Sequence, residues 1–453
     1  MSIRHLLFLS TLFVASVSSA QDLKSGYFID NYLYRHDMNP AFGNEKNYIA
    51  VPVLGNVNVN LRGNVGVSDI LYKVDGRTAL FLNPKVSTAE FDKNINDNNK
   101  LTEDVKVQIL GAGFKAFGGY NTFEINACEA LDAHVPGSVL KAAKDGLTNQ
   151  TYDFSNIDVN AQAYAEIALG HSHQINEHLR IGAKLKFLVG LANVDMNLKK
   201  AVLTLDENNY TAVVDAEIQS SLKEVQYAHE TNERTGHTYV SGVDNTKWGI
   251  AGFGVGVDLG AEYKLDNWDF SAAILNLGSI RYSSNYTAST DGEKSVETDK
   301  YSFNIDEDAV NSFENEGNKL KDDLSTLYEL DDKGDTGSRT RALGATLNLG
   351  VKYTLPSYDK LSFGLMNTTS IRVKYSWTDF RLSANYHPIK CLALSANLSA
   401  GSFGFGFGWM LDVQAKKGID FFIGMDATPG KLAKQGIPLS SNAQISAGIN
   451  VPL

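Results

Sequence analysis

Along most of the chain, apolar and polar residues alternate with a period of two. Behind Trp248, the residues Phe253, Val255, Val257, Leu259, Ala261 and Tyr263 alternate with Gly252, Gly254, Gly256, Asp258, Gly260, Glu262 and Lys264. Successive side chains of a strand point to opposite faces, so this segment has one apolar face and one of glycine and charge. Ile181, Ala183, Leu185, Phe187 and Val189 repeat the pattern against Arg180, Gly182, Lys184 and Lys186. So do Leu347 to Leu355 against Asn348, Gly350 and Lys352, Phe380 to Tyr386 against Arg381, Ser383 and Asn385, and Phe405 to Val413 against Gly404, Gly406 and Gly408. One such run is equally a half-buried strand of a soluble sheet. Many in series, each near the ~9–11 residues that a tilted strand needs to cross a bilayer, predict an all-β fold: a transmembrane antiparallel β-barrel. The runs number about 14, with 16 left open, because single-chain barrels of this kind use an even number. Ile445, Ala447, Ile449 and Val451 carry the pattern to Leu453, and closure pairs this last strand with a first one near Tyr48 to Leu61.

Short polar links such as Ile175-Asn176-Glu177-His178, Leu265-Asp266-Asn267 and Lys416-Lys417-Gly418 suit one rim of a barrel, and longer connections the other. The longest covers 281–341. Between Asp291 and Thr340 it carries 15 carboxylates against 6 bases, which predicts a solvated acidic loop, with a short helix within Asn311 to Leu330. Ser220 to Thr246 is a second polar excursion. Glu129 to Gly146, with Val139, Leu140, Ala142 and Ala143 behind Pro136-Gly137, predicts a short amphipathic helix packed on or in the barrel.

The N-terminus adds an address. Arg4 and His5 precede an apolar run from Leu6 to Val14, and small residues end at Ser18-Ser19-Ala20. This is the pattern of a secretory signal peptide over 1–20, too short to span a bilayer as a helix. Gln21 follows the expected cut, which speaks against a lipid-anchored lipoprotein. No later stretch of 18 apolar residues predicts a transmembrane helix. Gly 39, Tyr 20 and Phe 22 against Pro 9 favour strands, and a net charge of −11 argues against nucleic acid as a partner. The outer membrane of a Gram-negative bacterium is the expected location, and its lipid and the barrel-insertion machinery are the expected partners.

Catalytic and metal chemistry find little footing. His171 and His173 share a strand face near His178, a pattern that could recruit a transition metal but suits a solvated rim better. Asp331-Asp332-Lys333-Gly334-Asp335 has the look of a calcium loop, with Lys333 at a ligand position and no closing Glu. Ser383 and His387 lie on one face, about 13 Å apart at strand spacing, too far for a hydrogen bond. Gly252-x-Gly254-x-Gly256 sits inside a strand pattern and opens no helix, so it is no dinucleotide fingerprint. Cys128 and Cys391 lack metal-ligand spacing, and a disulfide between them stays open. No enzyme, cofactor, catalytic or metal site is expected. Lys184, Lys186, Asp258, Glu262, Lys352 and Arg381 are the expected pore-lining residues, with solvation and cross-lumen pairing as their plainer role.

Between signal and first strand lies Asp37-Met38-Asn39-Pro40-Ala41-Phe42. An Asn-Pro-Ala triplet at this place resembles the long-chain fatty-acid transporter superfamily of outer-membrane barrels, and the related barrels that accompany type IX secretion. The chain more closely resembles an uncharacterised domain-of-unknown-function family of that group. The likeness runs through the Pro136-Gly137 to Gly146 helix and from Leu169-Gly170-His171-Ser172 into Leu179 to Lys186. It departs at Leu453, where such barrels commonly end in an aromatic residue. The resemblance implies that 21–47 forms a luminal plug ahead of a barrel over 48–453, with Asn39, Pro40 and Ala41 fixing a tight turn; Asn-Pro also simply starts surface turns. It further implies a gated channel or transporter for small hydrophobic molecules. The alternative is a non-conducting barrel that serves as docking or structural partner of a secretion or surface complex. A transporter would hold a ligand-sized apolar cavity beside the plug; a docking barrel would have a filled lumen.

Overall fold

In the computed structural model, residues 23–207, 209–302, 310–372, 374–414, 418–427 and 442–453 are described. The expected signal peptide, the first two residues of the segment behind it, and Lys416 and Lys417 of one expected turn lie outside the described residues. Fourteen antiparallel strands close into a barrel. β1 is split into Tyr48–Ala50 and Val57–Gly63. β2 (Asn98–Ala116), β3 (Gly119–Pro136), β4 (Ile157–Gln174), β5 (Leu179–Leu205), β6 (Gly252–Leu265) and β7 (Trp268–Tyr282) follow. β8 (Ala345–Thr354), β9 (Leu361–Ile371), β10 (Trp377–Ile389), β11 (Leu392–Gly401), β12 (Gly404–Val413), β13 (Asp420–Ala427) and β14 (Ala443–Pro452) complete it. β14 closes on β1, Tyr48 opposite Pro452 and Val57 opposite Ala447. Closure leaves no strand edge, which a hydrocarbon environment demands because nothing there can satisfy an open edge. No helix of the described residues is long and apolar enough to cross a membrane.

The two faces invert the usual burial rule. On β6, Phe253 and Val255 are 63% and 59% exposed while Asp258 is 1% exposed. The alternation places apolar residues outward all round, among them Leu185, Leu349, Leu382, Phe405 and Ile445. Cross-strand register stacks like on like: Val255 lies opposite Phe187, and Asp258 opposite Lys184. Short links gather at one end. Phe117 and Gly118 both take positive φ (58° and 72°), the mirror-image turn whose twist matches two antiparallel strands. Asp266, in the β6–β7 link, does the same at 52°.

At the long-loop end the wall continues past the barrel. β5 pairs there with Tyr210–Ser221 instead of β6, and Tyr286–Ser289 and Lys294–Glu297 join that strand in turn. The acidic stretch is therefore no plain solvated loop. It holds these strands, Asp331–Asp335 paired to Tyr286–Ser289, and a helix Phe313–Thr326 whose first turn is capped by Ser312 Oγ accepting from Asn315 N. Glu224–Thr231 and Thr238–Lys247 make a separate hairpin of the second excursion. The expected helix over Glu129 to Gly146 is also corrected: period two persists to Pro136 and keeps those residues in β3, and only Gly137–Asp145 is helical. Its Leu140 packs on the cluster of Tyr72, Phe81 and Phe91 in the β1–β2 loop.

Candidate functional site

A barrel this wide has an interior to fill, and the chain fills it with its own beginning. From Leu23, the segment that precedes β1 runs inside the lumen through two short 3-10 turns, Lys24–Gly26 and Leu33–Asp37. Its partners encircle it. Ser25 Oγ donates to Asp426 on β13 at 2.5 Å, and Tyr27 Oη lies 3.0 Å from Ser271 Oγ on β7. Tyr34 Oη lies 2.7 Å from Gln108 Oε1 on β2 and 2.6 Å from Asn450 Oδ1 on β14. Asn348 of β8 donates to Met38 O at 2.9 Å. Only a segment within the bore can meet so many strands at once. Tyr27, Phe28, Tyr32, Tyr34 and Phe42 form one buried cluster with Tyr48, Tyr120, Met366, Met410 and Phe422 of the wall. The largest apolar cluster among the described residues is thus the contact between segment and barrel.

Asn39, Pro40 and Ala41 form the tight turn: Asn39 Oδ1 accepts from Ala41 N at 2.9 Å, and Asn39 O from Phe42 N at 2.9 Å. The turn is seated on the wall. Asn39 Nδ2 donates to Ala261 O at 3.1 Å, and Ser172 Oγ to Ala41 O at 2.6 Å. A Cβ on Gly182 would overlap the Pro40 carbonyl, and one on Gly260 would overlap the Asn39 amide. Glycine within a strand marks such close approach of another backbone. Both glycines were visible in the alternation as polar-face positions; what they face was not.

All six expected pore-lining residues point inward, but none lines an open bore. Each is between 1 and 6% exposed. Lys184 of β5 bridges Asp37 of the segment and Glu124 of β3, the latter at 2.9 Å. Lys106 of β2 reaches Asp37 at 2.7 Å, and His36 Nδ1 lies 3.3 Å from the same carboxylate. Lys186 pairs with Asp258 at 2.9 Å and Glu166 at 3.4 Å. Lys352 holds Asp30 of the segment and Asp269 of β7, both at 2.7 Å. Arg381 meets Asp379 and Asp426 at 2.8 Å, and Glu262 lies 3.6 Å from Lys264. Packed protein and counter-charge surround most of them, because the segment occupies much of the space that water would fill, and Lys186 and Asp258 also border a small polar cavity. The alternation located these charges; Asp30, Asp37, Lys106 and Glu124 were missed, since pairing across a lumen depends on register.

Above the segment, toward the long-loop end, a polar cavity of about 90 Å3 is bounded by Lys24, Asp37, Asp104, Lys106, Cys128 and Arg372, among others. This is not the ligand-sized apolar cavity expected beside a plug. Among the described residues, His36, Asp37 and Glu124 alone gather three metal-ligating groups, within 4.8 Å of one another. Two ammonium groups already neutralise their carboxylates. His171 Nδ1 lies 2.9 Å from Asn121 Oδ1, and His178 Nδ1 lies 2.8 Å from Lys264 O. Ser383 Oγ donates to Gly364 O, not to His387, and Lys333 of the calcium-like run pairs with Asp291 at 3.2 Å. Cys128 and Cys391 are free thiols.

With this geometry in hand, comparison with known proteins gives three findings. No curated protein matches the chain. Solved structures share its outline. The Ralstonia pickettii toluene transporter TbuX is 10% identical, with 96% of this chain and 94% of that one covered at a TM-score of 0.41. The Pseudomonas putida toluene transporter TodX is 11% identical, over 96% and 95% at 0.40. A Pseudomonas aeruginosa FadL homologue is 10% identical, over 91% and 92% at 0.37. The model of a family of unknown function, DUF5723, matches residues 40–426, and the chain belongs to that family.

Proposed function

We propose that this DUF5723 member is a gated channel or transporter of a Gram-negative outer membrane, that it carries small hydrophobic molecules, and that its N-terminal segment is the gate. The short-turn end then faces the periplasm and the long-loop end the outside. One observation carries the reading: the segment that leads into β1 at Asn47 is a separate element that covers an apolar patch of the inner wall. Withdrawal of that element would uncover Tyr48, Tyr120, Met366, Met410 and Phe422, a surface suited to an apolar solute. Methionine adapts to ligands of varied shape. The closed state needs no ready-made cavity, since the segment's own aromatic rings occupy the place of cargo.

Uptake tests this directly. Cells that carry the protein should accumulate a labelled small aromatic hydrocarbon faster than cells without it, and a small sugar no faster. The variant lacking 21–47, once shown to fold by heat-dependent gel mobility, should lose this discrimination. Equal hydrocarbon uptake with and without the protein contradicts the reading.

The filled lumen and the strands built above the barrel favour a second reading, a docking barrel for a secretion or surface complex. It requires a stoichiometric protein partner that is lost when Glu224–Thr231 and Thr238–Lys247 are removed, with hydrocarbon uptake unaffected.

A further inference from the structure

The lumen is obstructed a second time, and by a different part of the chain. The link between β9 and β10 reaches across the mouth of the barrel. β9 stands half a turn of the barrel from β2, yet Arg372, which follows it, forms ion pairs with Asp104 on β2 and with Asp132 on β3, the latter at 2.9 Å. Lys374 pairs with Asp158 at the head of β4, and Tyr375 Oη donates to the same carboxylate at 2.6 Å. The Tyr375 ring is itself seated on that far wall, 4.8 Å beneath Lys100 Nζ and 5.4 Å from the His134 ring. Cation and ring contacts of this kind add directionality to the charge pairs. The Arg372 side chain is only 8% exposed.

We infer that this link is a strap that closes the lumen at the long-loop end, independently of the N-terminal segment, with aspartates on three consecutive strands of the opposite wall as its latch. The polar cavity of about 90 Å3 lies between the two closures, with Lys24 and Asp37 on one side and Arg372 on the other. A solute entering from outside meets the strap before it meets the segment. Release of the strap exposes the cavity while the segment stays seated, because the ion pairs and hydrogen bond that hold Arg372, Lys374 and Tyr375 run to aspartates of the wall.

Cys128 reports on this without an added probe site. Its thiol is free and lines the cavity. In a Cys391→Ser background, a membrane-impermeant sulfonated thiol reagent added from the long-loop side should modify Cys128 slowly in the otherwise native, full-length protein. Arg372→Gln with Lys374→Gln should raise the rate tenfold or more, and Asp132→Asn with Asp158→Asn, which cuts the same latch from the other side, should match it. Heat-dependent gel mobility establishes that each variant is folded, and unchanged protease resistance of residues 23–47 that the segment is still seated. The inference is overturned if both folded pairs of variants label at the native rate, or if Cys128 of the native protein labels as fast as in the unfolded chain.

Discussion

The two obstructions of the lumen are built on opposite physics. The N-terminal segment is held chiefly by apolar burial, with aromatic rings against Met366, Met410 and Phe422; of its charges, Asp37 is neutralised deep in the bore, and the half-exposed Asp30 pairs with Lys352. The strap has one ring in contact with the far wall and otherwise depends on Arg372 and Lys374 finding aspartates. Apolar burial of that extent is nearly indifferent to salt, whereas partly exposed ion pairs are not. The difference suits a strap that yields to conditions outside and a segment that yields only to something stronger.

The greatest effect is expected from removal of the Asp37 carboxylate, which ties the segment to lysines of β2 and β5. Asp37→Ala leaves Lys106 and Lys184 with Glu124 alone, and an uncompensated buried charge costs about 3–5 kcal/mol. Limited proteolysis should then cut within residues 23–47 while the barrel keeps its gel mobility and the strap its protection of Cys128. Next in size is damage to what both closures share. Val255→Arg on the lipid face should cost about 2–4 kcal/mol of barrel stability in denaturant titration, if the position lies near the bilayer midplane. Both closures should fail together at the same denaturant concentration.

Smaller perturbations should act on one closure alone. Gly182→Ala places a methyl group against the Pro40 carbonyl, and overpacking of this kind costs about 1–3 kcal/mol. It should raise proteolysis of the segment and leave Cys128 labelling unchanged. The least effect is expected from salt: between 0.1 M and 1 M the screening length falls from about 10 to about 3 Å, which should speed Cys128 labelling by about threefold, since the latch is only partly exposed. Proteolysis of the segment should not respond.

How much of this could be read in advance follows from what each feature depends on. The strand faces were legible because period two is local, and Phe253 and Val255 faced lipid as the alternation required. The luminal charges were legible as inward positions. Their partners were not, because Lys184 meets Glu124 and Asp37 only once registers and the segment's path are fixed. Gly182 and Gly260 carried a signal of close approach, yet nothing local identifies the Asn39-Pro40 turn as what approaches. The acidic stretch misled because the pairing of Tyr286–Ser289 with Glu217 to Ser220 is non-local, and composition cannot show it. The strap was invisible for the same reason, with its charges more than 200 residues from their partners.

Single-channel recording in a planar bilayer tests the doubly closed lumen most directly. The native protein should show no steady conductance, and neither should Arg372→Gln with Lys374→Gln while the segment remains seated. Addition of Asp37→Ala to that pair should produce discrete openings. A steady open conductance in the native protein, or silence from the triple variant when it is folded and its segment is protease-sensitive, would contradict the account.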